Sequence, residues 1–214
     1  MSKARTNYNK AYFNWYQKIG LFGGKIDNSK FEKYIFANDK VLDFGCGAGY
    51  LLKTLNCKEK HGVEINPTAI KIAKANKIKI FSNSKKLKKN YYDKIISNNT
   101  LQHCNNPQKE ISLLYNALKK NGLIIIVTGC SSRDLEYTPK DINYQMYSWS
   151  PMNLGNFLDN SHFKVLLSKK IMEKWPPYFN FFYNTFGANI FKLICRIYSL
   201  IDSKITPVIA VGKK

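Results

Sequence analysis

Val41-Leu42-Asp43-Phe44-Gly45-Cys46-Gly47-Ala48-Gly49 decides how the rest of the chain reads. A short apolar strand runs into alternating glycines, and Tyr50 to Leu55 then reads as a helix. Glycines at such a turn let the backbone approach a ligand and leave free amides facing it. The dinucleotide fingerprint Gly-x-Gly-x-x-Gly/Ala fits poorly, because Tyr50 holds its third position, and the Gly-Lys-Ser/Thr of a P-loop is missing. Asp43, two residues before the first glycine, would repel a pyrophosphate and suit a ligand carrying an ammonium group. Glu64 ends a second strand, His61 to Ile65, nineteen positions after Gly45. A carboxylate there can accept both hydroxyls of a ribose.

Farther out, strand and helix keep alternating. Asn66-Pro67 opens a helix with apolar Ala69, Ile70, Ile72 and Ala73. Ile78 to Phe81 and Tyr92 to Ser97 read as strands, and Pro107 to Lys120 as an amphipathic helix stopped by Asn121-Gly122. Leu123 to Val127 is the continuous apolar run of a strand buried on both faces. This alternation predicts a doubly wound α/β fold with a parallel sheet. Beyond it, 130–150 reads as a loop, Pro151 to Asn160 as a helix, Phe163 to Ser168 as a strand, and Val208 to Val211 as a closing strand.

The 214 residues suit one domain, and 44% apolar residues exclude intrinsic disorder. No apolar stretch reaches the roughly 20 residues of a membrane span. The polar, basic Met1 to Lys10 argues against a secretory signal. Lys+Arg is 34 against 14 Asp+Glu, for a net charge of +20. Such a charge draws a protein toward anions, but the only arginines are Arg5, Arg133 and Arg196, and bidentate reading of nucleic acid prefers Arg. An A/T-biased genome filling exposed positions with Lys is the first reading of the charge, and a functional anion-binding face the second. The five cysteines, Cys46, Cys57, Cys104, Cys130 and Cys195, are widely spaced without Cys-x-x-Cys, which points to reduced thiols in a cytoplasmic protein and to no metal site.

An ammonium plus a ribose without phosphate describes S-adenosylmethionine (SAM). Residues 41–49 resemble the first motif of class I SAM-dependent methyltransferases, and Val63-Glu64-Ile65-Asn66 resembles their second. Tyr92 to His103 resembles the fourth-strand segment of the small-molecule type 11/12 members, and Leu118 to Ile125 matches the turn into their fifth strand. The resemblance covers about residues 38–130. It implies a Rossmann-like, mostly parallel seven-stranded sheet with helical N- and C-terminal additions. It also implies SAM as cofactor and no metal. Carried over residue by residue, Asp43, Gly45, Cys46, Gly47 and Gly49 would line the methionine end. Glu64 would hold the ribose hydroxyls, with Ile65 against the adenine. Asn83, with Ser84 beside it, stands where the family usually has an Asp for the adenine amino group; a plain loop residue is the other reading. Asn98 would sit below the methionine portion.

Methyl transfer from a sulfonium needs alignment more than a fixed catalytic group, so no catalytic residue is assigned. Candidates for a base are His103, Glu136, Tyr137 and Tyr147, although His103 reads first as a structural histidine bonding the loop backbone. Asp93 and Cys46 read as structural. The expected organisation is an N-terminal helical cap (1–38), a SAM-binding core (39–170), an aromatic helical insertion (171–204) and a closing strand (205–214). Acceptor selection is expected outside the core. Tyr147 to Pro151 and Lys174 to Pro177 offer aromatic walls for a sugar ring or ordinary packing. The amphipathic stretch Tyr178 to Leu200 either packs on the sheet or docks on an anionic membrane or lipid-linked substrate. The leading expectation is methyl transfer to an oxygen of a small-molecule or glycan acceptor. RNA methylation and a non-catalytic scaffold are the rivals.

Overall fold

The computed structural model describes residues 10–131, 137, 142–202 and 205–214. The base candidate Glu136 therefore lies outside the described residues, as does most of 130–141. Helix α1 (Lys10–Ile26) and the single turn α2 (Asn28–Phe31) precede β1 (Lys40–Phe44), α3 (Tyr50–Thr54) and β2 (Glu59–Val63). Then come α4 (Pro67–Ala75), β3 (Lys79–Phe81), β4 (Tyr92–Asn98), α5 (Pro107–Ala117) and β5 (Leu118–Ser131). Helix α6 (Pro151–Asn160), β6 (Lys164–Lys170), α7 (Phe179–Ile201) and β7 (Ile205–Lys213) follow. The strands form one seven-stranded sheet in the order β3-β2-β1-β4-β5-β7-β6. The first five strands pair in parallel, and β7 runs antiparallel to both β5 and β6. This is the doubly wound arrangement that the alternation predicts, in the Rossmann-like, mostly parallel seven-stranded form that the resemblance implies.

The apolar runs are continuous because both faces of the sheet are covered. Leu42, Ile124, Ile126, Val208 and Ala210 belong to one core. Their sequence neighbours Val41, Ile125, Val127, Ile209 and Val211 belong to the other. Helix starts follow their capping residues. Asn66 Oδ1 accepts from the Thr68 and Ala69 amides at 2.9 and 3.2 Å, and Ser150 Oγ accepts from the Asn153 amide at 3.2 Å.

Some boundaries and contacts differ from the sequence reading. Helix α5 stops at Ala117 rather than Lys120, and Leu118 already pairs with Tyr92 in the sheet. The cause is distant in sequence: the Lys214 ammonium donates to the carbonyls of Tyr115 and Leu118 at 2.8 and 2.7 Å, closing the helix end. Strand β2 spans Glu59–Val63, so Glu64 stands just past the strand instead of ending it. The buried Phe191 and Cys195 of helix α7 cluster with Phe22 and Ile26 of α1 rather than with the sheet residues of the two main cores.

Ile125 is fully buried, whereas Met152 is 73% exposed. Ile125→Ala is expected to cost about 2–5 kcal/mol in urea denaturation, and Met152→Ala to stay within about 0.5 kcal/mol of wild type.

Candidate active site

The strand order reverses direction at β1, with β2 on one side and β4 on the other. A crevice opens at such a switch, outside the carboxyl ends of the strands. Here it is a cavity of about 1070 Å³ lined from β1, β4, α1 and the loops that follow the strands. Gly45 has φ +80, and a Cβ on it would run into the Thr100 side chain beyond β4. Gly47 has φ +54, and a Cβ there would meet only open space. The turn therefore holds a bare backbone toward the cavity, where any other residue is strained.

Two carboxylates face this turn. Asp43 is buried, and its Oδ1 has no hydrogen-bond partner among the described residues. Burial, and then the neighbouring Glu64 carboxylate, push Asp43 up to about 8. Glu64 is better satisfied: its Oε2 accepts from the Gly47 amide at 2.8 Å, and its Oε1 accepts from the amides of Ile65 and Asn66 at 2.7 and 2.8 Å. Burial raises its pKa, and the three backbone N–H bonds oppose the rise. Cys46 is held as a thiol by burial and by the nearby carboxylates of Asp43 and Glu64, which removes it as a nucleophile.

The rest of the cavity includes groups that sequence reasoning missed. Asn98, at the end of β4, donates through Nδ2 to Asp27 Oδ2 at 2.8 Å. Asp27 Oδ1 in turn pairs with Lys30 Nζ at 2.6 Å, both side chains being only 6% exposed. Breaking such a buried pair at one end leaves an uncompensated charge. The one available signal was scarcity, since Asp27 and Glu32 are the only acids before Asp39. Helix α1 adds Tyr12 and Tyr16, whose rings stack at 5.9 Å. Burial and then Glu64 push the Tyr12 hydroxyl up to about 12. Burial raises Tyr16 as well, followed by Tyr12 and the carboxylates of Asp27, Asp43 and Glu64. Gly24 lets α1 approach, since a Cβ on it would lie 2.6 Å from Tyr50 Cβ.

Asp43, Gly45, Cys46, Gly47, Glu64, Ile65, Asn83, Ser84 and Asn98 all line this one cavity. Gly49 does not: it caps α3 at φ +76, and a Cβ there would collide with Ile78. Asn83 Oδ1 accepts from the Lys85 amide at 3.1 Å, and Ser84 donates to Glu110 Oε2 at 2.6 Å. His103 and Trp175 line the cavity. Tyr147 does not line it, and Tyr137 is 89% exposed. Trp149, read as a candidate sugar wall, is buried in the core against Phe157 at 4.8 Å. Asp93 is structural, accepting from the Lys40 amide at 2.9 Å and from Lys119 Nζ at 2.6 Å.

Comparison with known proteins adds three findings. Residues 21–170 match the family described as "Methyltransferase domain". An uncharacterized protein of Methanocaldococcus jannaschii is 34% identical over 145 residues, 65% of this chain and 54% of that protein. The ubiquinone biosynthesis O-methyltransferase of Rickettsia typhi is 30% identical over 181 residues, 72% of each chain. Among solved structures, a SAM-dependent methyltransferase from Archaeoglobus fulgidus shares the fold with a TM-score of 0.60 at 19% identity, covering 91% of this chain and 98% of its own.

The proton on Asp43 generates a prediction. Unfolded, this carboxyl ionises near about 3.9; folded, near about 8. Between those values the folded state holds a proton that the unfolded state has lost, so this group makes stability fall as pH rises. Asp43→Asn is expected to remove that contribution. Its urea-denaturation stability should fall less from about pH 5 to about pH 8 than that of wild type. Parallel profiles would mean that Asp43 is already ionised in the fold.

Proposed function

The chain belongs to the methyltransferase-domain family, class I SAM-dependent enzymes with a Rossmann-like fold, and from that premise we propose that it methylates an oxygen of a small-molecule acceptor. The observation that carries the cofactor assignment is the buried Asp43 carboxylate, with one oxygen unpartnered among the described residues, beside the bare turn at Gly45 to Gly47. An ammonium group fits that position and relieves the cost of ionising Asp43 there. Glu64 fits a ribose hydroxyl. Its Oε1 already takes two N–H bonds and its Oε2 one, so one lone pair is open and a second hydroxyl must replace a backbone bond.

The other assignments follow the same logic. Exposed Ile65 offers apolar surface to the adenine. Asn83 Oδ1 keeps one lone pair, beyond its bond from Lys85, for the adenine amino group. Ser84, committed to Glu110, contributes shape. Asn98, fixed by Asp27, underlies the methionine portion. On this reading residues 39–170 hold the cofactor, while 1–38 and 171–204 shape the acceptor side.

Bound SAM supplies an electrophilic methyl group. The chain's own part is to align the acceptor and exclude water. Tyr12, Tyr16 and Trp175 give the cavity aromatic walls suited to a flat ring or a sugar face. His103 also lines the cavity and is the group we assign to take a proton from an acceptor hydroxyl. The similarity to a ubiquinone biosynthesis O-methyltransferase favours oxygen. Free thiols at Cys46, Cys57, Cys104 and Cys195 suit a cytoplasmic setting.

Calorimetric titration with SAM tests the site. Wild type is expected to bind at micromolar strength, and Asp43→Ala and Glu64→Ala to lose about tenfold or more. Near about pH 6.5 wild-type binding should release a proton, so its enthalpy should vary with the buffer's ionisation enthalpy, and Asp43→Asn should lose that dependence. Unchanged affinity in both alanine variants would overturn the assignment. Methyl-labelled SAM should transfer label to phenolic or sugar hydroxyls, and transfer to RNA alone would overturn the acceptor class.

A further inference from the structure

Helix α7 has two apolar faces, and the fold covers only one. Phe191, Cys195 and Ser199, four residues apart, are buried, the first two against Phe22 and Ile26 of α1. On the opposite side stand Ile190, Leu193, Ile197, Leu200 and Ile201, each between 50 and 77% exposed. Their spacing of three and four places them on one stripe of the helix. Before the break at Gly187 (φ +74), Phe181 and Phe186 continue the apolar exposure. Beside the stripe, Pro176, Phe182, Ile194, Ile197, Tyr198 and Ile201 form a shallow groove of about 250 Å³. A soluble monomer rarely leaves so long an apolar strip in water.

Charge identifies the occupant. The 23 residues of α7 contain no acid, and Lys192 and Arg196 lie on the flank between the two faces. A second copy of the chain would bring another +20 against the first. An anionic lipid surface instead attracts the charge while it buries the stripe. Among the described residues no helix is long and apolar enough to cross a membrane. We infer that α7 is a peripheral membrane anchor that lies in the plane of an anionic bilayer surface, with the Ile190–Leu193–Ile197–Leu200 stripe down and Lys192 and Arg196 at headgroup level. The anchor adjoins the cavity, because Trp175 lines the cavity and packs against Phe22 and Phe179 at the base of α7. Docking therefore sets the acceptor side of the cavity close to the lipid surface.

The test is co-sedimentation of the full chain with vesicles of phosphatidylcholine alone and with about one-quarter phosphatidylglycerol. Wild type is expected to partition at least about tenfold better onto the anionic vesicles, and to come off partly between about 0.1 and 0.5 M salt. Leu193→Ser with Ile197→Ser, both at exposed sites, should lower partitioning at least about tenfold with an unchanged thermal midpoint. Lys192→Glu with Arg196→Glu should lower it on anionic vesicles only. Equal binding by the serine variant would overturn the anchor and leave charge attraction alone. A wild-type dimer in light scattering that the serine substitutions dissolve would overturn it in favour of self-association. SAM calorimetry on the serine variant keeps the two readings apart, since cofactor binding is expected to be unaffected.

Discussion

Burial of β1 on both faces is the constraint from which the site follows. The strand lies in the middle of the sheet, with Val41 in one core and Leu42 in the other. It pairs in register with Gly62 of β2 and Ile96 of β4 at Asp43. A strand locked this way can slip by one residue only by turning both cores inside out. Its last residues are therefore delivered to a fixed place, and a carboxyl group is held where water does not reach it. Gly62 completes the arrangement, since a Cβ there would occupy the space taken by the Cys46 side chain.

The cavity runs against the electrostatics of the whole chain. Lysine and arginine outnumber acids by 34 to 14, yet Asp27, Asp43, Glu64, Glu110 and Glu173 all line this one cavity, with only Lys30 and Lys174 as lysine or arginine lining among the described residues. The surface invites anions and the interior is built for a ligand with positive character. The Asp27 carboxylate, held by Lys30 and bonded to Asn98, ties the N-terminal segment to the end of β4. Through it the segment before the sheet becomes part of the cavity wall rather than an appendage.

How much of this the sequence carries depends on the range of the interaction. The turn after β1, the Asn66-Pro67 start of α4 and the whole of α6 are written locally, in glycines, caps and apolar spacing, and they stand where those signals put them. The end of α5 is not local, because the Lys214 side chain that closes it lies almost a hundred residues away. Asp27 and Lys30 look like any polar pair after a helix until β4 brings Asn98 to them. Trp149 carries no mark that separates a ligand wall from a core residue; its fate was decided by Phe157 and the sheet. Gly49 shares a motif with Gly45 and Gly47 yet lies against Ile78, because it has left the turn and caps helix α3.

The position of β7 bears on how the molecule is made. It is inserted between β5 and β6, and β6 touches the sheet only through it. Leu123 of β5 must find Lys213 across ninety residues before β6, paired to β7, can join the rest of the sheet. Such distant pairing slows folding. Until it forms, β5 offers an open apolar edge, the kind of surface that partly folded chains share with one another. The pairing that covers β5 in the finished sheet thus makes the nascent chain, until that pairing forms, a client for protection during synthesis.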